Sequence, residues 1–375
     1  MHITRLSTHH FRNHRARDVT WSPHLNLITG PNGAGKTNLM DAVHYLCMSR
    51  SFVSSSDRYV VSEGESEFRI DGDFKGEIRS EFRVSCLYSR GEGKRIFVND
   101  SPLDRISDLI GMVPVVVLSP EDRKLTAEGP SERRSFLDGL ISQISSKYLH
   151  SLMKYRRIRK QRNRLLQEFE GSSQQLRSLL EPWDVQLVEE GSNIVARRYE
   201  VLSAFRQFLV DQFKALYEID LQPDLTYQTF CEPGEDVAQI QQQYEKVLAS
   251  SREKEFERGT TLVGPHRDEV VFYLGEMELR NYGSQGQHRL FSVALKLAQL
   301  FYYSNLLEDD PIMLLDDVFG NLDRQKTTIL LDTLQKHPGQ ILITSASEAP
   351  FRELSATPGS ELLWYRLEDG ELIEK

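Results

Sequence analysis

A string near the N-terminus has the spacing of a phosphate-binding loop. It runs Gly30-Pro31-Asn32-Gly33-Ala34-Gly35-Lys36-Thr37, followed by Asn38, and it matches G-x-x-x-x-G-K-[ST] at every fixed position. Its glycines let successive backbone N–H groups point at a phosphate, and the N-terminus of a following helix adds partial positive charge. In this pattern Lys36 bridges the β- and γ-phosphates, where it assists catalysis, and the Thr37 hydroxyl ligates Mg²⁺. We therefore expect residues 30–38 to bind a nucleoside triphosphate with Mg²⁺.

An apolar run that ends in two acids stands far along the chain. Ile312-Met313-Leu314-Leu315 leads into Asp316 and Asp317, which is the pattern of a Walker B strand. A buried strand would place Asp316 at its carboxyl end, where it could hold Mg²⁺ by way of water. Asp317 would point to the other side of the strand and polarise the attacking water. Most of the chain separates this run from the phosphate loop, and such a split is typical of ATPases of the SMC and ABC type.

A third motif lies between these two. Gly283-Ser284-Gln285-Gly286-Gln287 precedes apolar residues at helical spacing, namely Leu290, Val293, Ala294, Leu297, Ala298 and Phe301. Ser284 and Gly286 stand just before the helix, where unpaired N–H groups attract anions. The string resembles the S-x-G-Q signature of ABC-type ATPases, which contacts the γ-phosphate of ATP held by a second subunit. By this resemblance Ser284, Gly286 and Gln287 would face a partner's nucleotide, and Asp323 would lie in a D-loop at the dimer interface.

The elements that position these motifs indicate an α/β protein with a helical insertion. Leu25–Thr29 is a β-prone run before the phosphate loop, and Lys36–Met48 has a helical pattern after it. Glu269–Leu274 and Gln340–Thr344 read as further strands. We predict an ABC-type ATPase head with a mixed sheet plus antiparallel strands, built from segments 1–130 and 258–375. The mostly helical arm between them, 131–257, should have breaks at Gly171-Ser172-Ser173 and at Glu181-Pro182.

Composition excludes several classes of protein. With 375 residues, of which 39% are hydrophobic, the chain can bury a substantial core and is not disordered. Its longest mostly apolar run, Leu109–Leu118, is far shorter than the about 20 residues of a bilayer-spanning helix. Three cysteines without CxxC spacing argue against a disulfide framework and a cysteine zinc site. The first residues show no signal-peptide pattern, so we expect a cytoplasmic protein without a membrane partner.

A basic segment stands out against a net charge of −9. Between Gly139 and Gln167 the sequence holds no acidic residue, but many Lys and Arg residues. If the segment is helical, Arg156, Lys160 and Arg164 form one stripe, which Arg159 and Arg162 widen. Such a stripe suits DNA phosphates, which supply most of the affinity in sequence-independent binding. The alternative is a solvated helix face whose charges pair with acids elsewhere in the chain.

Several narrower strings complete the pattern and indicate a family. They are Arg50-Ser51-Phe52, Leu118-Ser119-Pro120-Glu121-Asp122, Arg133-Arg134-Ser135-Phe136-Leu137-Asp138, Lys160-Gln161-Arg162-Asn163, and Gly264-Pro265-His266-Arg267-Asp268. Together with the three ATPase motifs, they make the chain resemble the RecF family of bacterial recombination-mediator ATPases, which is related to the heads of SMC and Rad50. The resemblance extends to about Ala346.

The resemblance implies a function. Proteins of this family bind ATP, dimerise around it, hydrolyse it slowly as weak DNA-dependent ATPases, and bind single-stranded, gapped or double-stranded DNA and its junctions. With RecR and RecO they help RecA to load, and they support replication restart and the SOS response. Gly320-Asn321 departs from the Ser-Glu that the resemblance leads us to expect before Leu-Asp. The shorter acid at Asp317 predicts slow turnover.

Two other functions share the ATPase motifs. A peripheral ATPase subunit of a transporter would carry a His after the last core strand, where this chain has Thr344-Ser345. A nucleotide-gated scaffold would use ATP mainly to hold two subunits together, with negligible hydrolysis. The role of His266, Arg267 and Asp268 stays open between the nucleotide, the DNA and the joining of domains.

Overall fold

Strands dominate the beginning and end of the chain, and helices dominate its middle. The computed structural model describes residues 1–217, 221–232, 236–321, 324–351, 362–368 and 371–375. The strands are β1 His2–Phe11, β2 His14–Thr20, β3 Leu25–Thr29, β4 Glu67–Lys75, β5 Phe82–Ser89, β6 Gly93–Val98, β7 Ser101–Pro102, β8 Val115–Leu118, β9 Pro223–Gln228, β10 Glu269–Leu274, β11 Met277–Glu278, β12 Ile312–Asp316, β13 Ile341–Ser345, β14 Leu362–Glu368 and β15 Glu371–Glu374. The helices are α1 Lys36–Met48, α2 Arg123–Ala127, α3 Pro130–Ile144, α4 Ser146–Glu168, α5 Ser173–Leu216, α6 Val237–Arg258, α7 Leu279–Tyr282, α8 Gln285–Leu306 and α9 Arg324–Leu334. No helix within these described ranges is long and apolar enough to cross a membrane.

The first compact unit holds two sheets. It consists of the described residues of Met1–Arg123, Asp211–Asp220 and Arg289–Lys375. One sheet has the strand order β2-β1-β4-β5-β6-β7 and is antiparallel. The other has the order β15-β14-β3-β13-β12-β8, in which every neighbouring pair except β15–β14 is parallel. This mixed sheet brings β3 from the start of the chain between β13 and β14 from its end, as an ATPase head in two segments requires.

Helix α1 fills the core of this unit. It carries apolar side chains on every face, and nearly all of its residues are buried. One hydrophobic cluster joins it to Ile3 and Phe74 in the antiparallel sheet and to Ile28 and Leu314 in the parallel sheet. A helix that is hydrophobic all round must be covered on all sides. This double contact fixes the position of its N-terminus, where the phosphate loop ends.

The second compact unit is the helical one, and its boundaries differ from the prediction. It comprises Lys124–Val210 and the described residues of Leu221–His288. Strand β10, predicted to belong to the C-terminal ATPase segment, pairs with β9 from the insertion, with Val271 opposite Thr226. The end of α5, predicted to belong to the arm, lies instead in the first unit, where Phe213 contacts Phe291. The compact units therefore divide the chain at Arg123/Lys124 and His288/Arg289, whereas the prediction placed the divisions at 130/131 and 257/258.

One predicted break is present and the other is not. Helix α4 ends at Glu168 and α5 begins at Ser173, so the chain does break around Gly171-Ser172. Pro182, however, lies inside α5. A proline in a helix interior costs about 3 kcal/mol through a lost hydrogen bond and a steric clash. Leu180 and Leu187 on either side of it are completely buried, and this packing offsets the cost.

The turn before β10 is built around a glycine that no other residue could replace without strain. Gly264 has φ +126°, and a Cβ atom added there would lie 2.0 Å from the Tyr244 hydroxyl oxygen and 2.5 Å from that of Tyr155. The Tyr244 hydroxyl also donates to the Val263 carbonyl oxygen, at 3.0 Å. Both tyrosines are buried, so neither ring can move aside. The G-P-H-R-D string therefore begins with glycine for a steric reason.

We predict that Gly264→Ala destabilises the protein by about 2–4 kcal/mol, because backbone strain adds to overpacking. Chemical denaturation of the full chain measures this loss. Gly275→Ala is the matched control, since Gly275 has φ +62° and its nearest neighbour, Leu221 Cδ2, lies at 3.3 Å. The control should lose about 1 kcal/mol. Equal losses in the two variants would contradict the steric role of Gly264.

Candidate functional site

The predicted phosphate loop joins β3 to α1. Gly30, Gly33 and Gly35 all have positive φ, at +153°, +82° and +108°, so the backbone curls as a phosphate cradle requires. A Cβ atom at Gly35 would lie 2.6 Å from Asn13 Nδ2. The first backbone hydrogen bonds of α1 run from the Asn38 and Leu39 N–H groups to the Gly35 carbonyl oxygen, and the N–H groups of Lys36 and Thr37 come before any helical acceptor. The loop therefore has the backbone of an anion site.

The hairpin between β1 and β2 supports this loop. The sequence alone did not predict this support. Asn13 Nδ2 donates to the Ala34 carbonyl oxygen at 3.3 Å, and its Oδ1 accepts from Asn38 Nδ2 at 2.6 Å. His14 Nε2 lies 3.1 Å from the Gly35 carbonyl oxygen. Burial lowers the pKa of His14, although the hydrogen bond to Gly35 opposes this shift. The side chain is thus a neutral support for the loop. No motif surrounds Asn13 and His14, so only the fold identifies them.

Lys36 bends back over the loop. Its Nζ donates to the carbonyl oxygens of Gly30, at 2.8 Å, and Pro31, at 2.9 Å. Burial lowers the pKa of Lys36, whereas the charges of Asp317 and Asp316 raise it. The ammonium group therefore lies within electrostatic reach of both acids of the Walker B strand. This is the placement expected of a lysine that binds phosphate oxygens.

The two ATPase motifs meet at Asp316. The Thr37 hydroxyl donates to Asp316 Oδ1 at 2.8 Å and to Oδ2 at 3.0 Å, across 279 positions of sequence. The Thr344 hydroxyl at the end of β13 also donates to Oδ1, at 2.7 Å. Burial raises the pKa of Asp316, while the hydrogen bonds from Thr344 and Thr37 lower it. At the level of sequence, Thr344 marks only a departure from the transporter pattern. In the fold, its hydroxyl helps to hold the Asp316 carboxylate.

Asp317 follows in an unusual backbone conformation. Its φ is +48°, which is rare for a residue other than glycine. The conformation is held because its N–H donates to the Thr344 carbonyl oxygen at 3.2 Å and to Thr344 Oγ1 at 3.1 Å. Its carboxylate accepts from the Ala346 N–H at 3.4 Å. The sharp turn aims the two acids in different directions, so Asp316 and Asp317 can have separate tasks.

The R-S-F string, Arg50-Ser51-Phe52, provides a second anchor for α1. Asp41 on α1 is completely buried and accepts from Arg12 Nη2 at 2.8 Å and from the Ser51 hydroxyl at 2.8 Å. Its other oxygen accepts from the Phe52 N–H at 2.9 Å. Arg12 Nη2 also donates to Ser51 Oγ at 2.7 Å. The string therefore fixes the helix that carries the phosphate loop.

The donor set suits a nucleotide with Mg²⁺. Mg²⁺ prefers oxygen ligands and is commonly held by one or two protein groups together with phosphates and water. Thr37 and Asp316 bring a hydroxyl and a carboxylate within 2.8 Å of each other. Among the described residues, no group of three or more His, Cys, Asp or Glu side chains gathers as a metal site would. The residues thus fit a metal that a bound triphosphate helps to hold.

The signature string belongs to the second unit and caps the N-terminus of α8. The Ser284 hydroxyl accepts from the Gln287 N–H at 3.2 Å, and Gln287 Oε1 accepts from the Ser284 N–H at 2.8 Å. This reciprocal pair is a capping box. Ser284 and Gly286 are exposed and Gln287 is partly exposed. Asp323, the predicted D-loop acid, lies outside the described residues.

The basic segment forms α4, and its charges divide into two groups. Arg156, Lys160 and Arg164 are exposed and Arg159 is partly exposed, as the predicted stripe requires. Arg156 pairs with Asp138 at 2.9 Å, and Arg164 pairs with Glu168 at 2.7 Å. Within the part of the chain that the structure describes, Arg159 and Lys160 have no carboxylate within ion-pair distance. They are therefore the members of the stripe most available to an external anion.

Arg162 was predicted to contact DNA, and the structure contradicts this. Its side chain is fully buried, and it pairs with Asp184 at 2.7 Å and with Glu255 at 2.6 Å. Its Nη1 also donates to Thr261 Oγ1 at 2.9 Å. A buried charge is retained only when such partners compensate for its desolvation. Arg162 therefore ties α4 to α5 and α6.

The G-P-H-R-D string belongs to a buried network in the same unit. Arg198 is almost fully buried and donates to Asp138 Oδ1 at 2.8 Å, to the Pro265 carbonyl oxygen at 2.8 Å and to Asp268 at 3.3 Å. His266 is held by the Tyr155 hydroxyl at 2.7 Å and the Thr261 carbonyl oxygen at 3.1 Å. Burial lowers the pKa of His266 to about 3. Both ring nitrogens have partners, so His266 is a neutral structural residue.

Two proteins of similar sequence share one name, and a family model matches most of the chain. A family model described as the RecF/RecN/SMC N terminal domain matches residues 2–360. The "DNA replication and repair protein RecF" of Salinibacter ruber is 45% identical over 96% of this chain and 88% of its own length. The protein of the same name from Chloroherpeton thalassium is 39% identical over 94% of this chain and 97% of its own length.

Solved structures agree with these relatives. The recombination mediator protein RecF with ATP, of the RecFOR pathway, has a TM-score of 0.88 at 29% identity and covers 100% of this chain and 97% of that one. An SMC head bound to a winged-helix domain of ScpA has a TM-score of 0.58 at 14% identity, over 100% of this chain and 98% of that one. The second likeness concerns the fold alone, and it supports the predicted ATPase head. The chain belongs to the RecF branch of the RecF/RecN/SMC family.

Proposed function

We propose that this chain is an ATP-dependent DNA-binding protein of recombinational repair. ATP would be held by residues 30–38, with Lys36 on its phosphates, and Mg²⁺ by Thr37 and Asp316. The observation that carries this proposal is the convergence of the Thr37 and Thr344 hydroxyls on the Asp316 carboxylate. That arrangement joins the phosphate loop to the Walker B strand, and the relative bound to ATP supports it.

Asp317 is the residue we assign to hydrolysis. Bound Mg²⁺ would neutralise charge that develops on the phosphates. Asp317 would orient and polarise the attacking water, since among the described residues its carboxylate accepts a single long hydrogen bond, from the Ala346 N–H at 3.4 Å. Lys36 would stabilise the phosphate oxygens. An aspartate reaches less far than a glutamate, so we expect slow turnover.

Asp317→Asn should retain ATP binding and lower steady-state phosphate release by about 100-fold or more, because the asparagine cannot accept a proton. Phosphate release with and without DNA measures the effect. Asp316→Asn is the comparison, and it should weaken Mg²⁺-dependent ATP binding itself. Unchanged turnover in Asp317→Asn would remove Asp317 from the catalytic role. Negligible turnover in the unmodified chain would favour the nucleotide-gated scaffold.

Dimerisation around ATP is the second part of the proposal. Ser284, Gly286 and Gln287 are accessible at the N-terminus of α8, where N–H groups favour an anion. In a head-to-tail pair they would contact the nucleotide of the second copy. ATP would then act as a shared ligand that stabilises the pair.

Sedimentation should show a dimer with ATP and a monomer with ADP or without nucleotide. Ser284→Arg should abolish the ATP-dependent dimer, because a large charged side chain replaces a small cap, while ATP binding to the monomer persists. Ser178→Arg is the control, since Ser178 is an exposed serine outside the motif. A dimer that forms equally well in Ser284→Arg would contradict this interface.

DNA binding and partner proteins form the third part. We propose that the exposed stripe of α4 binds phosphates of single-stranded and gapped or double-stranded DNA, with Lys160 and Arg159 as the cations that have no carboxylate partner in the described part of the chain. RecR, together with RecO, would cooperate with the complex in loading RecA, with roles in replication restart and the SOS response. The RecFOR pathway of the solved relative supports this context. A cytoplasmic location remains a prediction, and no observation favours a transporter subunit.

Lys160→Ala should weaken DNA binding and lower the slope of log affinity against log salt by about 0.7–0.9, because one phosphate contact is lost. Titrations of gapped DNA over a series of salt concentrations measure the slope. Arg177→Ala is the control, since Arg177 is an exposed arginine on α5 that pairs with Glu253. Affinity that does not depend on salt would contradict phosphate-driven binding.

A further inference from the structure

Four arginines of the second unit line one cavity. Arg134 lies on α3, Arg156 and Arg159 on α4, and Arg198 on α5, and Pro265 and His266 line the same cavity. We call these four residues the arginine pocket. The cavity has a volume of about 210 Å³. Since a water molecule takes about 30 Å³ of the liquid, a tetrahedral anion and several waters fit inside.

The arginine pocket carries more positive charge than its acids neutralise. Asp138 accepts from Arg156 at 2.9 Å and from Arg198 at 2.8 Å, and Asp268 lies 3.3 Å from Arg198. Glu269, which also faces Arg134, is held by Arg133 at 2.7 Å. Among the described residues, Asp138 and Asp268 thus form ion pairs with two of the four guanidinium groups and not with the other two. A dianion would balance the excess.

Two arginines of the pocket have capacity left for such an anion. Within the described part of the chain, Arg134 makes one hydrogen bond, from Nη1 to the Asp268 carbonyl oxygen at 2.8 Å. Its pKa is lowered by burial and then by the positive charge of Arg198. An anion would relieve this repulsion. Arg159 is partly exposed and has no carboxylate partner among the described residues.

The rest of the wall is rigid and adds hydroxyl donors. Ser131 and Ser135 line the cavity from the first two turns of α3, where the helix dipole favours negative charge. Tyr155 and His266 are fixed to each other at 2.7 Å. The turn at Gly264 packs closely against the hydroxyl groups of Tyr155 and Tyr244. The pocket is thus pre-organised, which lowers the entropic cost of binding.

We propose that the arginine pocket binds the phosphate monoester at the end of a DNA strand. The proposal deepens the DNA-binding function proposed above and rests on it. A monoester carries close to two negative charges at neutral pH, since its second pKa is about 6, whereas an internal diester carries one. A terminal phosphate also projects from the strand and can enter a cavity, while an internal phosphate is flanked by sugars on both sides.

The test compares gapped duplexes that differ only at the gap. One carries a 5′-phosphate, one a 3′-phosphate and one hydroxyl groups at both ends. Fluorescence anisotropy with the full chain and ATP should show about tenfold tighter binding of one phosphorylated duplex, as expected for one charge-assisted pair. Arg159→Ala should reduce this preference to less than about twofold, and Arg159→Lys should retain part of it, because lysine keeps the charge but not the planar fork.

Arg164→Ala separates this pocket from general DNA binding. Arg164 lies on the same helix, outside the cavity, and pairs with Glu168. The variant should weaken binding of all three duplexes by the same factor and keep the preference for the phosphorylated end. Equal affinity of the unmodified chain for all three duplexes would overturn the pocket and leave the proposed function standing. Full preference in Arg159→Ala would also overturn it, and binding to none of the duplexes would defeat the proposed function itself.

Discussion

The buried carboxylate of Asp316 is the constraint on which the first unit depends. A carboxylate taken out of water is stable only if donors satisfy it, and here the donors are hydroxyls from two distant segments, Thr37 and Thr344. The same three residues place the phosphate loop beside the Walker B strand. Fold and nucleotide chemistry therefore rest on one set of hydrogen bonds. Thr344 also receives the Asp317 N–H, so it sets the direction of both acids.

Buried arginines join the elements of the second unit in a comparable way. Through buried carboxylates, Arg162 joins α4 to α5 and α6, and Arg198 joins α5 to α3 and to the turn before β10. Removing one partner of such a set leaves an uncompensated charge, which typically costs about 3–5 kcal/mol. The basic character of α4 is thus only partly directed outwards. What remains for an external anion is the smaller group that includes Arg159 and Lys160.

The sequence allowed the motifs and the elements beside them to be predicted, because glycine spacing, apolar runs and helical periodicity are local properties. Contacts between residues that are distant in sequence could not be predicted in this way. Asn13 and His14 lie in a plain hairpin turn, and only strand pairing brings them to the loop. Arg162 did leave a signal, since it falls on the face of α4 formed by Tyr155, Ile158 and Leu166. The unit boundary was missed because the pairing of β9 with β10 is long-range.

The parallel sheet has a consequence for how the protein is made. Strand β3 leaves the ribosome early, but its two neighbours, β13 and β14, come from the last part of the chain. At about 5–20 residues per second, synthesis takes tens of seconds, during which β3 and the face of α1 that packs on the parallel sheet lack their later partners. The second unit lies between these segments in sequence and can fold while they wait. A nascent chain of this kind is a natural client for chaperones that shield exposed strands.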